Sequence, residues 1–376
     1  MYRPLFCPNY LCSYHQKAPS EFSWFYRIGF YHTKAFGKVR RFKCLGCGKS
    51  FSTQTFLLNY YVKRPVDYRP ILEHLCSSSG IRATSRWLAV SHQTITNRIG
   101  RLARQAMAIQ AELTDGLRLS EDLVTDGFES FVADQYQPNN IHLLTGSLSQ
   151  FLYSFDYAHL RRKGRMTKRQ KAERHRREQD YIRERISISK SFRRIIGEVE
   201  HLLQNRSTVH TFLSSDKKQE YRLLIKHSLV LQYYRQAGTF THRCVSSKRP
   251  RTFVNPLFPV NYLDRELRKD NANQVRETVQ FSRSVNNCLE RLAVYQLYHN
   301  FMKPFRIDHC QKRKLLHGQV AGIRRERIED AIEKVFEVRK FYSHVQLSFS
   351  QLLVWARMVG SLHRRDGGYW PQYIWM

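Results

Sequence analysis

The stretch Phe42-Lys43-Cys44-Leu45-Gly46-Cys47-Gly48-Lys49 sets two thiols three positions apart on a turn that Gly46 and Gly48 relieve, with a lysine on either side. A second pair, in Cys7-Pro8-Asn9-Tyr10-Leu11-Cys12, lies about thirty residues upstream. A C-x4-C and a C-x2-C on facing turns supply four soft ligands, the tetrahedral set that structural zinc takes. Lys43 and Lys49 offset the negative charge of a centre with four thiolates. The expectation is one zinc ion on Cys7, Cys12, Cys44 and Cys47, with a closed shell and hence no catalytic role. His32 is read as a packing or surface histidine, since four cysteines complete the set. Between the pairs, the aromatic and partly alternating run Phe22 to Phe36 suits short strands, which makes residues 1–60 a zinc ribbon.

The chain around this ribbon has 376 residues, enough for two or three domains. Its formal charge of +32 exceeds what solubility requires and points to a polyanionic partner, with nucleic acid first. A membrane surface is the competing polyanion, but no window approaches the ~20 apolar residues of a spanning helix, and the first residues lack the apolar core of a signal peptide. The expected setting is cytoplasmic and nucleoid-associated. With 42% hydrophobic and 13% aromatic residues the chain can build packed cores. Cys76, Cys244, Cys288 and Cys310 are scattered singly and read as plain side chains in a reducing compartment.

Downstream of the ribbon, VKRPVDYRP (Val62 to Pro70) is a connector with two prolines. Residues 66–112 then carry a helix-turn-helix pattern: a helix, a break at Ser77 to Gly80, a short helix around Thr84 to Ala89, a turn at Val90-Ser91, and a longer helix capped by Ser91. Ile95, Ile99 and Leu102 share one face. His92, Gln93, Thr94 and Asn97 fall near the start of that helix, where side chains of this type meet base edges, and Arg98, Arg101 and Arg104 are placed to reach phosphates. The bland alternative is an ordinary three-helix packing unit.

From about Leu117 the composition turns β-rich, with expected strands at Leu123 to Thr125, Ile141 to Thr145, Phe151 to Phe155, Val209 to Leu213 and Leu229 to Tyr234, mixed with helices. The most basic stretch, His159 to Arg194, reads as an insertion that is helical at least in part and faces DNA backbone; a solvated charged helix is its simpler reading. Acids are few here. Asp126 and Asp216 stand at expected strand ends, ingredients for holding divalent Mg2+ or Mn2+ against phosphates. Asp156 also ends an expected strand and is given a structural role.

The order of zinc ribbon, helix-turn-helix, Asp126 and Asp216, followed by the segment Asn255 to Ile307, resembles the DDE transposases of bacterial insertion sequences, in the group with an N-terminal zinc ribbon. The likeness covers roughly Met1 to Ile307. It implies an RNase H-like catalytic domain over 117–307, with a first acid on the first strand, a second on the fourth and a third on a later helix. Asp126 matches the first and Asp216 the second. Leu263-Asp264-Arg265, upstream of Phe281-Ser282-Arg283, matches the third, although the family commonly has Glu there. Glu266 is the next candidate; it lies two positions on and so on a different helix face from Asp264. Glu277 and Glu290 are further ones. Arg265, Arg268 and Arg276 are read as phosphate ligands or as plain surface arginines.

The implied whole is a multidomain α+β protein: zinc ribbon, helix-turn-helix, RNase H-like α/β domain with a basic insertion, and C-terminal helices over 308–376. The implied activity is metal-dependent DNA strand cleavage and transfer at element ends, with structural Zn2+, catalytic Mg2+ or Mn2+, double-stranded DNA as partner and a homo-oligomer as working form. A DNA-binding regulator without chemistry, including an inactivated transposase, is the alternative from another class. A nuclease acting on RNA or on a Holliday junction is a third. In the C-terminal part, helical patterning recurs at Arg324 to Phe341 and Leu347 to Met358, and Trp370, Tyr373 and Trp375 suggest a docked tail.

Overall fold

The computed structural model describes residues 3–20, 22–180, 187–246, 248–306 and 314–359. A short helix α1 (Ser13–Gln16) precedes the hairpin β1 (Phe25–Thr33) and β2 (Gly37–Cys44), against which β3 (Ser50–Ser52) pairs antiparallel. Trp24, Phe25, Phe42, Phe51 and Phe56 fill this small sheet's core together with three of the cysteines. One further aromatic closes it from far along the chain: Phe341 is buried there and stands edge-on to Phe6. The amide of Leu58 donates to the carbonyl of Glu337, and His15 bonds Ser343. The ribbon is thus seated on the chain's own later segment.

Three helices follow: α2 (Tyr68–Leu75), α3 (Ile81–Trp87) and α4 (His92–Thr114). The short helix begins and ends earlier than the pattern suggested. Ser91 caps α4 as expected, accepting from the amide of Thr94. At 23 residues α4 outruns a recognition helix, because its C-terminal half carries a buried apolar face (Ala103, Ala106, Met107, Ile109, Leu113) that packs into the core.

The larger sheet contains β4 (Leu123–Phe131), β5 (Pro138–Gly146), β6 (Leu152–His159), β7 (Thr211–Asp216) and β8 (Phe240–Val245) in the order β6-β5-β4-β7-β8. The first three form an antiparallel meander, and β7 and β8 run parallel to β4 on its other side. Between β6 and β7 lie α5 (Lys168–Asp180) and α6 (Ser187–Gln204); between β7 and β8 lie α7 (Gln219–His227) and α8 (Leu229–Gln236). The strand expected at Leu229 to Tyr234 is therefore a helix: Ser228 caps it, and only Leu231 of the apolar run is buried. The strand that completes the sheet, β8, was missed because its middle is polar, as an edge strand tolerates. The basic insertion is also shorter than His159 to Arg194. Its last part belongs to α6, which packs Phe192 and Ile195 onto the sheet.

The remaining helices are α9 (Phe258–Asp270), α10 (Val285–Phe301), α11 (His317–Val320), α12 (Arg325–Lys334) and α13 (Phe349–Trp355). Trp370, Tyr373, Trp375 and Cys310 lie outside the described residues. α10 packs along α4, where Asn300 donates to Gln110 at 3.0 Å and also bonds the backbone of Leu152. One continuous apolar core runs from Leu58 to Trp355. The stretches 66–112, 117–307 and the described part of 308–376 consequently share a core.

Buried imidazoles sit in this core. His299 and His317 stack at 4.0 Å and donate to the carbonyls of Gln150 and Ser149. Burial lowers both, His317 from 6.5 to about 4. The folded state then binds fewer protons than the unfolded chain below pH 6.5, so the contribution is intact above that pH and is lost as pH falls toward 4. For His317 alone the loss between pH 7 and 5 is about 2 kcal/mol. A pH series of melting temperatures is expected to slope less steeply in His317→Asn than in wild type.

Candidate functional site

The four cysteines come together as the spacing predicts. Their sulfurs all lie within 4.8 Å of one another, with Cys7 to Cys47 and Cys12 to Cys44 both at 3.7 Å. That is close to the edge of a tetrahedron with Zn–S bonds of ~2.3 Å, so the group can hold a metal such as zinc. The knuckle forms as a tight turn in which the Gly48 amide donates to the Cys44 carbonyl, with Gly48 at φ +69°. A side chain at Gly46 would meet the Tyr14 ring at 2.7 Å. Burial pushes the Cys7 and Cys12 thiols up. Desolvation acts the same way on Cys47, but hydrogen bonds from Asn9 and the Lys49 backbone outweigh it and bring that thiol down to about 7. His32 is outside the group.

At the start of α4, His92, Gln93 and Asn97 are exposed, and Gln93 donates to Asn97 at 3.2 Å. Thr94 is half-buried and engaged with Ser91. The arginines behave differently from expectation. Arg98 is buried and donates to the Arg64 carbonyl; Arg101 donates to the carbonyls of Leu58 and Tyr60 and lies over the Tyr60 ring. Arg104 lines the same recess. Helical periodicity turns these positions toward the ribbon connection, where Arg98 and Arg101 fasten α4 to its carbonyls, while Arg104 is half-buried. Trp87, which sequence reasoning passed over, is 76% exposed at the end of α3 and stacks on His74. Exposed Lys168, Arg169 and Lys171 on α5 add basic surface, while Arg177 anchors that helix to Asp134.

A second cluster forms on the larger sheet. Asp126 is in the middle of β4, not at its end, because pairing with β5 continues through Phe131. Asp216 ends β7, next but one to β4's neighbouring pairs. Asp264 lies on α9, which packs against β4 and β5. The Lys218 ammonium stands between the first two acids, 3.9 Å from Asp126 and 3.6 Å from Asp216. Burial raises Asp126, the Asp216 charge adds to this, and Lys218 opposes it. Burial and then the Asp126 charge raise Asp264 to about 8, against Arg268, Arg251 and Lys218. The Oδ1 atom of Asp264 is buried without a hydrogen-bond partner.

Three carboxylates that feel one another's charge, one with an orphaned oxygen, are a hard donor set suited to a divalent cation. Among the described residues only the cysteines bring three or more ligand atoms within 4.8 Å of one another, so the acids are set more widely than a closed shell.

The other candidates for the third acid lie elsewhere. Glu266 is paired with Lys303 and Lys269, beside Asp270. Glu290 is paired with Arg357 on α10, and Glu277 is exposed on a turn at φ +56°. Asp156, within β6, is clamped by Arg194 and Ser350 and is structural. Arg268 donates to the carbonyls of Glu129 and Gln274 and lies over Phe128. Arg265 lies over the Tyr262 ring, and Arg276 is exposed. Lys218 and Arg251 are site residues that sequence reasoning missed; for Lys218 the signal was its place two positions after Asp216. Among the described residues no helix is long and apolar enough to cross a membrane. No family model matches the chain, and no curated protein matches it.

Proposed function

We propose that the chain is a DDE-type DNA transposase, with an RNase H-like catalytic domain built on the larger sheet. The observation that carries this reading is that Asp126 on β4 and Asp216 on β7 flank one lysine, with Asp264 on α9 near enough to feel the Asp126 charge. First acid on the sheet's first strand, second on its fourth and third on a later helix is the arrangement that the resemblance implies. The charge of +32, and the exposed His92, Gln93 and Asn97, support DNA as the partner.

In this reading Asp126, Asp216 and Asp264 hold Mg2+ or Mn2+, which when bound activates an attacking hydroxyl and stabilises the leaving oxygen at a phosphodiester. The reaction is hydrolysis at the element end followed by transesterification of target DNA by the freed 3'-hydroxyl. Arg251 sits where its charge favours the ionised forms of Asp126 and Asp264. The ribbon and the start of α4 bind the ends.

The second reading, a DNA-binding regulator without chemistry, draws on the wide setting of the acids. Incubation of the zinc-loaded protein with labelled DNA flanking its own gene separates the two. Cleavage that needs Mg2+ and is not competed by RNA hybrids or Holliday junctions is the expected result. Tight binding of those ends with no cut in either Mg2+ or Mn2+ favours the regulator.

A further inference from the structure

Lys218 occupies a position that the proposed reaction does not use. It follows β7 by two residues, and its ammonium lies within 4 Å of a carboxylate oxygen on each of Asp126 and Asp216. Its side chain is one-third exposed. Among the described residues Lys218 is the cation that pairs with these two acids; the Asp126 Oδ1 atom otherwise accepts from the Gly127 amide, and the Asp216 Oδ1 atom from the Lys218 amide. Lys218 also touches Tyr221 while it faces the two acids. The Tyr221 hydroxyl is 3.4 Å from its ammonium, and the Tyr221 ring centroid is 5.1 Å away.

A partly buried pair of like charges without a cation destabilises a fold, and a tethered ammonium is the simplest remedy. The same ammonium stands in the way of a divalent cation that uses those oxygens. We propose that Lys218 is a built-in counter-ion of the acid cluster, neutralising Asp126 and Asp216 in the metal-free protein and yielding those oxygens to a divalent cation. It is a positioning residue that sets the affinity for the metal. This rests on the reading of the acids as metal ligands.

The test is Mn2+ binding to the zinc-loaded full chain, followed by electron paramagnetic resonance of the free ion and by thermal melting. Lys218→Met is expected to bind Mn2+ about tenfold more tightly than wild type, since a neighbouring opposite charge is typically worth one to three pKa units at such distances. The same variant should melt lower than wild type without Mn2+ and gain more on its addition. Lys218→Arg, which keeps the charge, should retain the weaker wild-type affinity. An affinity in Lys218→Met equal to or weaker than wild type overturns the proposal. Mn2+ binding that is absent from wild type and Lys218→Met alike, or unchanged in Asp126→Asn and Asp216→Asn, overturns instead the metal-site reading beneath it.

Discussion

Asp126→Asn and Asp216→Asn should each lose Mg2+-dependent end cleavage by about a thousandfold or more while still binding the ends. A hard cation held by carboxylates contributes several kcal/mol to a phosphoryl transition state, and ~4 kcal/mol is already a thousandfold in rate. Asn keeps the shape and, at position 126, an oxygen for the Gly127 amide, so the fold is preserved. The melting temperature of Asp126→Asn is expected to hold or rise, because a desolvated charge facing Asp216 is removed.

Asp264→Asn should behave alike. Glu266→Gln should do the opposite: cleavage stays near wild type, but stability drops by about 1 to 2 kcal/mol as the half-buried Lys303 loses one of its two carboxylate partners and keeps Asp270. Single-turnover cleavage and melting curves on the four variants decide it. Equal cutting by wild type, Asp126→Asn and Asp216→Asn would remove the active-site assignment.

Stripping zinc is the second large effect. Structural zinc binding is folding free energy, on the order of 10 kcal/mol or more in small zinc units. Without it the ribbon keeps only a handful of aromatics for a core. A strong chelator, or Cys44→Ser, should shift Trp24 fluorescence to the red and weaken end binding by about a hundredfold or more. The larger sheet should keep its far-ultraviolet signal, because its core is separate from the ribbon's. Proteolysis should open near Phe341, which loses its seat. One zinc per chain by mass spectrometry, and loss of end binding that tracks loss of zinc, are the checks. End binding that survives complete removal would confine the metal to a local structural role.

The ribbon was legible because metal chemistry constrains residue type and spacing together. Ser91 as a cap, and the apolar face of Ile95, Ile99 and Leu102, were legible for a similar local reason. Arg98 and Arg101 were not. A guanidinium that bonds backbone carbonyls across the fold looks, in sequence, like one that awaits a phosphate. Sequence spacing separated Asp264 from Glu266 by helix face, but only the fold shows that one is left unpartnered and the other held by two lysines. The run Leu229 to Tyr234 misled because a short apolar stretch has no period of its own, and the Ser228 cap decides it. Lys218 escaped notice because its role depends on β4 and β7 lying side by side, a contact between residues far apart in the chain.

The insertion of Phe341 into the ribbon also has a consequence for the order of synthesis. A ribosome releases the cysteines first, yet the aromatic that completes their core arrives only after most of the polypeptide has been made. The nascent chain can gather its four cysteines early but cannot seat the ribbon until the segment around Phe341 emerges. Finished ribbon therefore belongs to finished protein, and a message truncated before that point yields a product with cysteines and no platform to hold them against.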